Sequence, residues 1–196
     1  INELITFLKD NPLQDEINYK KVSERIDIEE FINYMLAQIY CANADWPSNN
    51  VRYWRERKTN SKWRWILYDT DLGFGLHEEG YTTNMFFRIT ELYQNPEWIT
   101  PNTVIIFMEL MKSSLFREKF SQEFQKQLNN RYSTKNVTET INTIVSIIKQ
   151  EMKSHSDRWD LLFTDWEKEI EKMKKFAELR PTFLKEHYKE FLNEFE

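Results

Sequence analysis

The chain has 196 residues, enough for one domain or one large lobe with a substantial core. Its net charge of −5 argues against nucleic acid as the main partner, because binding a phosphate backbone needs clustered Lys and Arg. Three glycines and five prolines leave little turn chemistry, so the fold class expected is mainly α.

In chain order, residues 1–10 read as a short helix closed by Asn11-Pro12, and a weaker helical segment follows to Arg25. Asp27 is a good N-cap, with Glu30 three residues on completing a box-like start. Ile28, Phe31, Ile32, Met35, Leu36 and Ile39 then recur at helical spacing, which predicts a buried helix to about Ala42. It runs into Ala44-Asp45-Trp46-Pro47-Ser48-Asn49-Asn50, where Pro47 stops the helix. Val51 and Tyr53 on one side, and Trp63, Trp65 and Leu67 on the other, predict one antiparallel β-hairpin over Val51–Tyr68. Residues 76–103, with Gly80, Pro96 and Pro101, read as an irregular, exposed functional loop or lid. Helices follow: Thr103 to Met111, one from Ser114, and one from Thr134 or Thr138. Thr164 to Glu167 reads as a capping box for a helix to Leu179, and Pro181 as the first turn of a last helix to about Phe195.

Cys41 stands alone, which excludes an intramolecular disulfide and a cysteine-type zinc site. His77, His155 and His187 form no helical ligand pair and read as surface residues. No stretch approaches the roughly 18 apolar residues of a membrane span, and no signal peptide is recognisable. The cations Arg52, Arg55, Arg57, Lys58, Lys62 and Arg64 fit the wet face of two hairpin strands. Trp46, Trp54, Trp63 and Trp65 could stack on a sugar or base, but cross-strand packing is the commoner use.

The most informative feature is the pairing of Asp45 and Asn50 with Asp69-Thr70-Asp71-Leu72-Gly73-Phe74-Gly75 across the hairpin. An Asp-x-x-x-x-Asn loop, a hairpin and a second acidic loop is the order of parts in the catalytic half of a protein kinase. Magnesium bridging phosphates wants hard oxygen ligands, and Asn50 and Asp69 suit that, with Asp71 completing or supporting the site. Asp45 suits a base beside an acceptor hydroxyl. Each residue taken singly is equally at home in a turn. Asp-x-Asp sugar transferases and phosphatases need repeated strand–helix units that this pattern lacks. An EF-hand fails because its twelfth position, counted from Asp69, is Gly80.

The block from Ile26 to Gly75 resembles the core of the CotH family, the spore-coat-protein-H-like atypical kinases. It shows an Asp-led helix, a loop with Asp and Asn, a Tyr-containing strand, a Trp strand, and an Asp-x-Asp block followed by Phe-Gly. Arg117 to Phe120, Asp157-Arg158-Trp159, and Trp166 through Arg180 are similar to the family's helical tail. Tyr68 stands where the family commonly has Trp. The resemblance implies a kinase C-lobe-like helical domain over 1–196, with its core block at 27–75 and C-terminal helices at 103–196. It implies binding of Mg2+ and ATP and phosphorylation of a protein substrate, often a secreted or surface-exposed one. By position, Asp45 would be the catalytic acid/base residue. Asn50 and Asp69 would hold the cofactor and metal, with Asp71 a supporting acid; which Asp of the pair is the main ligand stays open.

A kinase also needs a strand-rich N-terminal lobe with a phosphate-covering loop, whereas the 44 residues before Asp45 are helical and contain no glycine. The chain starts with Ile1 and reads as a piece of a longer protein that lacks that lobe. The expectations are therefore a self-folding piece with weak or no ATP binding, and convergence of Asp45, Asn50 and Asp69 on one cleft. In the full-length protein, Asp45→Ala or Asp69→Ala would abolish transfer while barely changing stability. The alternative is a non-catalytic, surface-associated interaction domain built on the same lobe.

Overall fold

The computed structural model describes residues 1–76, 80–95 and 99–195. The structure is 68% helical, with eight α-helices and a single two-stranded antiparallel hairpin among the described residues. The first three helices are α1 (Asn2–Asp10), α2 (Glu16–Ser23) and α3 (Ile28–Cys41). The hairpin pairs β1 (Arg52–Trp54) with β2 (Arg64–Ile66), placing Tyr53 opposite Trp65. Then come α4 (Met85–Gln94), α5 (Asn102–Met111), α6 (Ser114–Asn129), α7 (Thr134–Trp159) and α8 (Phe163–Leu192). Among the described residues no helix is long and apolar enough to cross a membrane.

The core is organised around α3, eleven of whose fourteen residues are buried. A helix so apolar on all sides must be wrapped by others. Its start is tied to the hairpin. Asp27 Oδ1 caps the Glu30 N–H at 3.4 Å, and the Asp27 N–H donates to the Trp63 carbonyl at 3.0 Å. The Glu30 carboxylate does not fold back on the cap as a capping box would. It accepts the Trp65 N–H at 3.0 and 3.2 Å, because β2 lies beside it. Trp65 is buried against Phe31, and its indole N–H donates to Thr103 Oγ1 at 2.9 Å. The hairpin alternation fails at Leu67, which is 50% exposed. Trp46 and Trp65 are core residues, while Trp54 lies outside with Arg64 over its ring. The second half is an aromatic core in which Phe86, Phe107, Phe124, Tyr188 and Phe191 interlock. Rings contribute large buried area and favour such offset and edge contacts.

Four further expectations are corrected. Residues 76–103 are not irregular throughout. Asn84 caps α4 by accepting the Phe87 N–H at 3.0 Å, and Met85, Phe86, Ile89 and Leu92 are buried. Residues 77–79 and 96–98, including His77 and Pro96, lie outside the described residues. Secondly, α8 starts at Phe163, and its N-cap position, Leu162, makes no side-chain cap, so Thr164 does not open it. Thirdly, Pro181 lies inside α8 rather than starting a new helix. A proline interior to a helix frees the carbonyl four residues back. Here that carbonyl, of Ala177, accepts the Thr134 hydroxyl from α7 at 3.0 Å. The neighbouring helix supplies the missing donor, and the helix runs on. His187, expected on the surface, is half-buried, and burial lowers its pKa.

Candidate active site

The acidic loops spring from the C-terminal end of α3. The helix stops at Ala42, which takes the left-handed conformation (φ 52°). Asn43 then turns inward and is fully buried. Its Oδ1 accepts the Asp45 N–H at 3.2 Å, and its Nδ2 donates to Gln38 Oε1 at 3.1 Å and to the Asp69 carbonyl at 3.2 Å. One amide therefore holds both loops. Trp46 drops into the core, where its indole N–H donates to the Tyr34 hydroxyl at 2.9 Å, and burial pushes that phenol up to about 12. The anchored Trp46 leaves Asp45 half-buried at the loop surface.

The second loop closes against the first through backbone contacts. The Ala44 N–H donates to the Leu72 carbonyl at 3.0 Å, and the Phe74 N–H to the Cys41 carbonyl at 2.9 Å. Gly73 is required by this approach, because a Cβ there would lie 2.9 Å from the Cys41 carbonyl oxygen. Asn50 and Asp69 both adopt positive φ (56° and 53°). For non-glycine residues this conformation is uncommon and costly, and Asn and Asp tolerate it best.

The hairpin returns Asp69 to the Asp45 loop. Asn50 Nδ2 donates to the Asp69 carbonyl at 3.1 Å and lies 3.5 Å from Asp45 Oδ2. Asn50 thus touches both other residues, but its bond to Asp69 is to the backbone. The Asp69 side chain instead meets that of Asp71, and both are exposed. A hydrogen bond shared with Asp71, slight desolvation and the charges of Asp71 and Asp45 raise the Asp69 pKa. As oxygen donors, Asn50 Oδ1 and the Asp69 and Asp71 carboxylates fit a hard divalent cation. Among the described residues no three His, Cys, Asp or Glu side chains gather as a candidate metal cluster.

A raised carboxyl pKa favours the protonated group in the folded state. Its contribution to stability is present at low pH and is lost as pH rises from 3.8 through the raised value. Asp69→Asn is expected to remove that decline. Thermal melts followed upward in pH from 3.8 should show the wild type losing more stability than the variant. Parallel curves would show that the two carboxyls do not share a proton.

Two contributors were not singled out in the sequence. Asn43 carries no local signal, and its burial and hydrogen bonds reveal its role. Arg88, in the first turn of α4, is half-buried within the field of Asp45, whose charge opposes the lowering of the guanidinium pKa by burial. The helical period of 85–92 could have placed it on the partly covered side of α4, but not beside Asp45.

A mainly helical domain with one hairpin, carrying an Asp-x-x-x-x-Asn loop and an Asp-x-Asp loop against each other, is the class of molecule these parts define. The family model described as CotH kinase protein matches residues 1–184. The chain belongs to that family and is a kinase-like member of it. Neither the curated proteins nor the solved structures include a match to it.

Proposed function

We propose that this chain is the catalytic-loop-bearing lobe of a CotH-like atypical protein kinase, transferring the terminal phosphoryl group of Mg-ATP to a hydroxyl of a protein substrate. The observation that carries the reading is the Asn50 amide, bonded to Asp69 and in reach of Asp45, which joins the two acidic loops across the hairpin. In this reading Asp45 accepts the proton of the acceptor hydroxyl as its oxygen bonds to phosphorus and ADP leaves. Asn50 and Asp69 would hold Mg2+, with Asp71 supporting. The metal, when bound, neutralises the charge on the transferring phosphoryl group. Asn43 and Gly73 keep the two loops at a fixed separation, which is what phosphoryl transfer mainly asks of a protein. The family also supports a surface or extracytoplasmic location.

Residues before Asp45 form helices, so the wall covering the phosphates is proposed to come from outside this chain, and the chain alone should bind ATP weakly. The test uses the full-length protein with labelled ATP and magnesium. Label should enter protein in the wild type and be lost in Asp45→Asn, by at least about 100-fold, with an unchanged melting temperature. Absence of transfer together with absence of nucleotide binding would leave the lobe as an interaction scaffold.

A further inference from the structure

A groove of about 770 Å³ runs along α3, beside the acidic loops rather than between them. Asn33, Ala37 and Cys41 lie along it four residues apart, with Tyr34 three before Ala37, and so share one helix face. Ala37 offers only a methyl group, which deepens the middle. Leu67, half-exposed, lines it with Trp65, which packs on Tyr34, and Phe74 and Tyr132, which pack on Tyr40, line it toward the end of α3. From Glu29 to Cys41 the face is about 18 Å long at about 1.5 Å per residue. That length matches about five or six residues of extended peptide at about 3.3 Å each.

The two ends carry opposite charge. Asp27, Glu29 and Glu30 stand at the start of α3, against Arg64 alone among the residues bordering that end. Arg64 is committed to Asp27, with Nε and Nη2 both 2.9 Å from Oδ2. Glu30 accepts the Trp65 N–H, and Glu29 has no ion-pair partner among the described residues. Arg131 stands at the far end. Acids at one end, an apolar middle and a cation at the other define a polarity that a symmetric or purely apolar ligand would not use.

We propose that this groove docks an extended peptide of a protein partner, with basic residues against Glu29 and Glu30 and apolar side chains over Tyr34, Ala37 and Leu67. If the partner is the phosphorylated protein, the groove recognises it away from the acceptor hydroxyl, and that part rests on the kinase reading. Docking itself does not, because the readout is binding.

The probe is a fluorescein-labelled hexapeptide, Lys-Arg-Ala-Leu-Ala-Leu, titrated with the protein in a polarisation assay beside its counterpart Glu-Glu-Ala-Leu-Ala-Leu. The basic peptide should bind saturably and the acidic one should not. Glu29→Lys, a reversal at an exposed position, should weaken binding about tenfold. Leu67→Asp, at a half-exposed position, should do the same through the apolar contact. Thermal melts of both variants establish that they remain folded. Equal binding of both peptides, binding untouched by both substitutions, or no binding of the basic peptide would each overturn the proposal. None of these outcomes bears on the transfer assay, and a failed transfer assay leaves this one intact.

Discussion

Arg180→Ala is expected to cost about 3–5 kcal/mol of stability. Arg180 is fully buried, and all four of its hydrogen-bonded acceptors are backbone carbonyls. Nε donates to Tyr40 at 3.0 Å and Nη2 to Ile39 at 2.6 Å, both in the last turn of α3. Nη1 donates to Tyr81 at 2.9 Å and Thr83 at 2.7 Å, just before α4. The last carbonyls of a helix have no donors within it, and the helix dipole places partial negative charge there. A guanidinium suits that position, with five donors in a planar fork. Burial lowers its pKa to about 10, which still leaves it charged at neutral pH. Truncation takes a donor from four carbonyls, of which that of Ile39 keeps the Ala42 N–H at 3.4 Å, and opens a hole between α8, the end of α3 and the 81–83 turn. For a chain of this length, about 1 kcal/mol corresponds to about 2–4 °C, so the melting temperature should fall by about 10 °C. Arg180→Lys should recover only part of this, because a single ammonium has three donors. A variant melting within about a degree of wild type would show the fork to be dispensable.

Asn43→Leu comes next in size, at about 2–4 kcal/mol, and it acts on the site itself. The substitution keeps the volume but leaves the Asp45 N–H, the Gln38 amide oxygen and part of the Asp69 carbonyl's bonding unmatched. Each buried polar group left unsatisfied costs about 1–3 kcal/mol, and Asn50 still covers the Asp69 carbonyl, which keeps the sum below three full penalties. Hydrogen exchange gives the decisive readout. The Asp45 amide should exchange faster in the variant by a larger factor than amides in the middle of α6, whose bonds do not involve this residue. If both accelerate equally, the loss is global and Asn43 is an ordinary core residue. If neither changes, the amide does not hold the loop.

Much of this was legible along the chain, because it depends on neighbours in sequence. The apolar period of 28–39 and the Asp27 cap specify α3 locally, and the alternation around Tyr53 and Trp65 specifies the hairpin. A hairpin must return its second strand to where the first began. The order Asp45, Asn50, hairpin, Asp69 therefore implied that their side-chain oxygens would converge, whereas the Asn50 bond reaches the Asp69 backbone carbonyl. What remained hidden depends on partners far away in sequence. Pro181 carries a strong local signal to break a helix, and the carbonyl it frees is taken by the Thr134 hydroxyl of another helix. Glu30 signals a capping box, yet the Trp65 N–H takes its carboxylate.

The sequence by itself determined the helical class, the single hairpin and the set of acids and amides at its two ends, since periodicity, capping and turn preference act over a few residues. The tertiary structure alone decided which of those groups touch. It turned the Asp69 carbonyl rather than its carboxylate toward Asn50, paired that carboxylate with Asp71, and chose Asn43 and Arg180 as the buried anchors. The physical reason is that a polar side chain enters the core only where distant backbone groups satisfy it. No stretch of sequence shows those groups until α3, α8 and the loops are packed together.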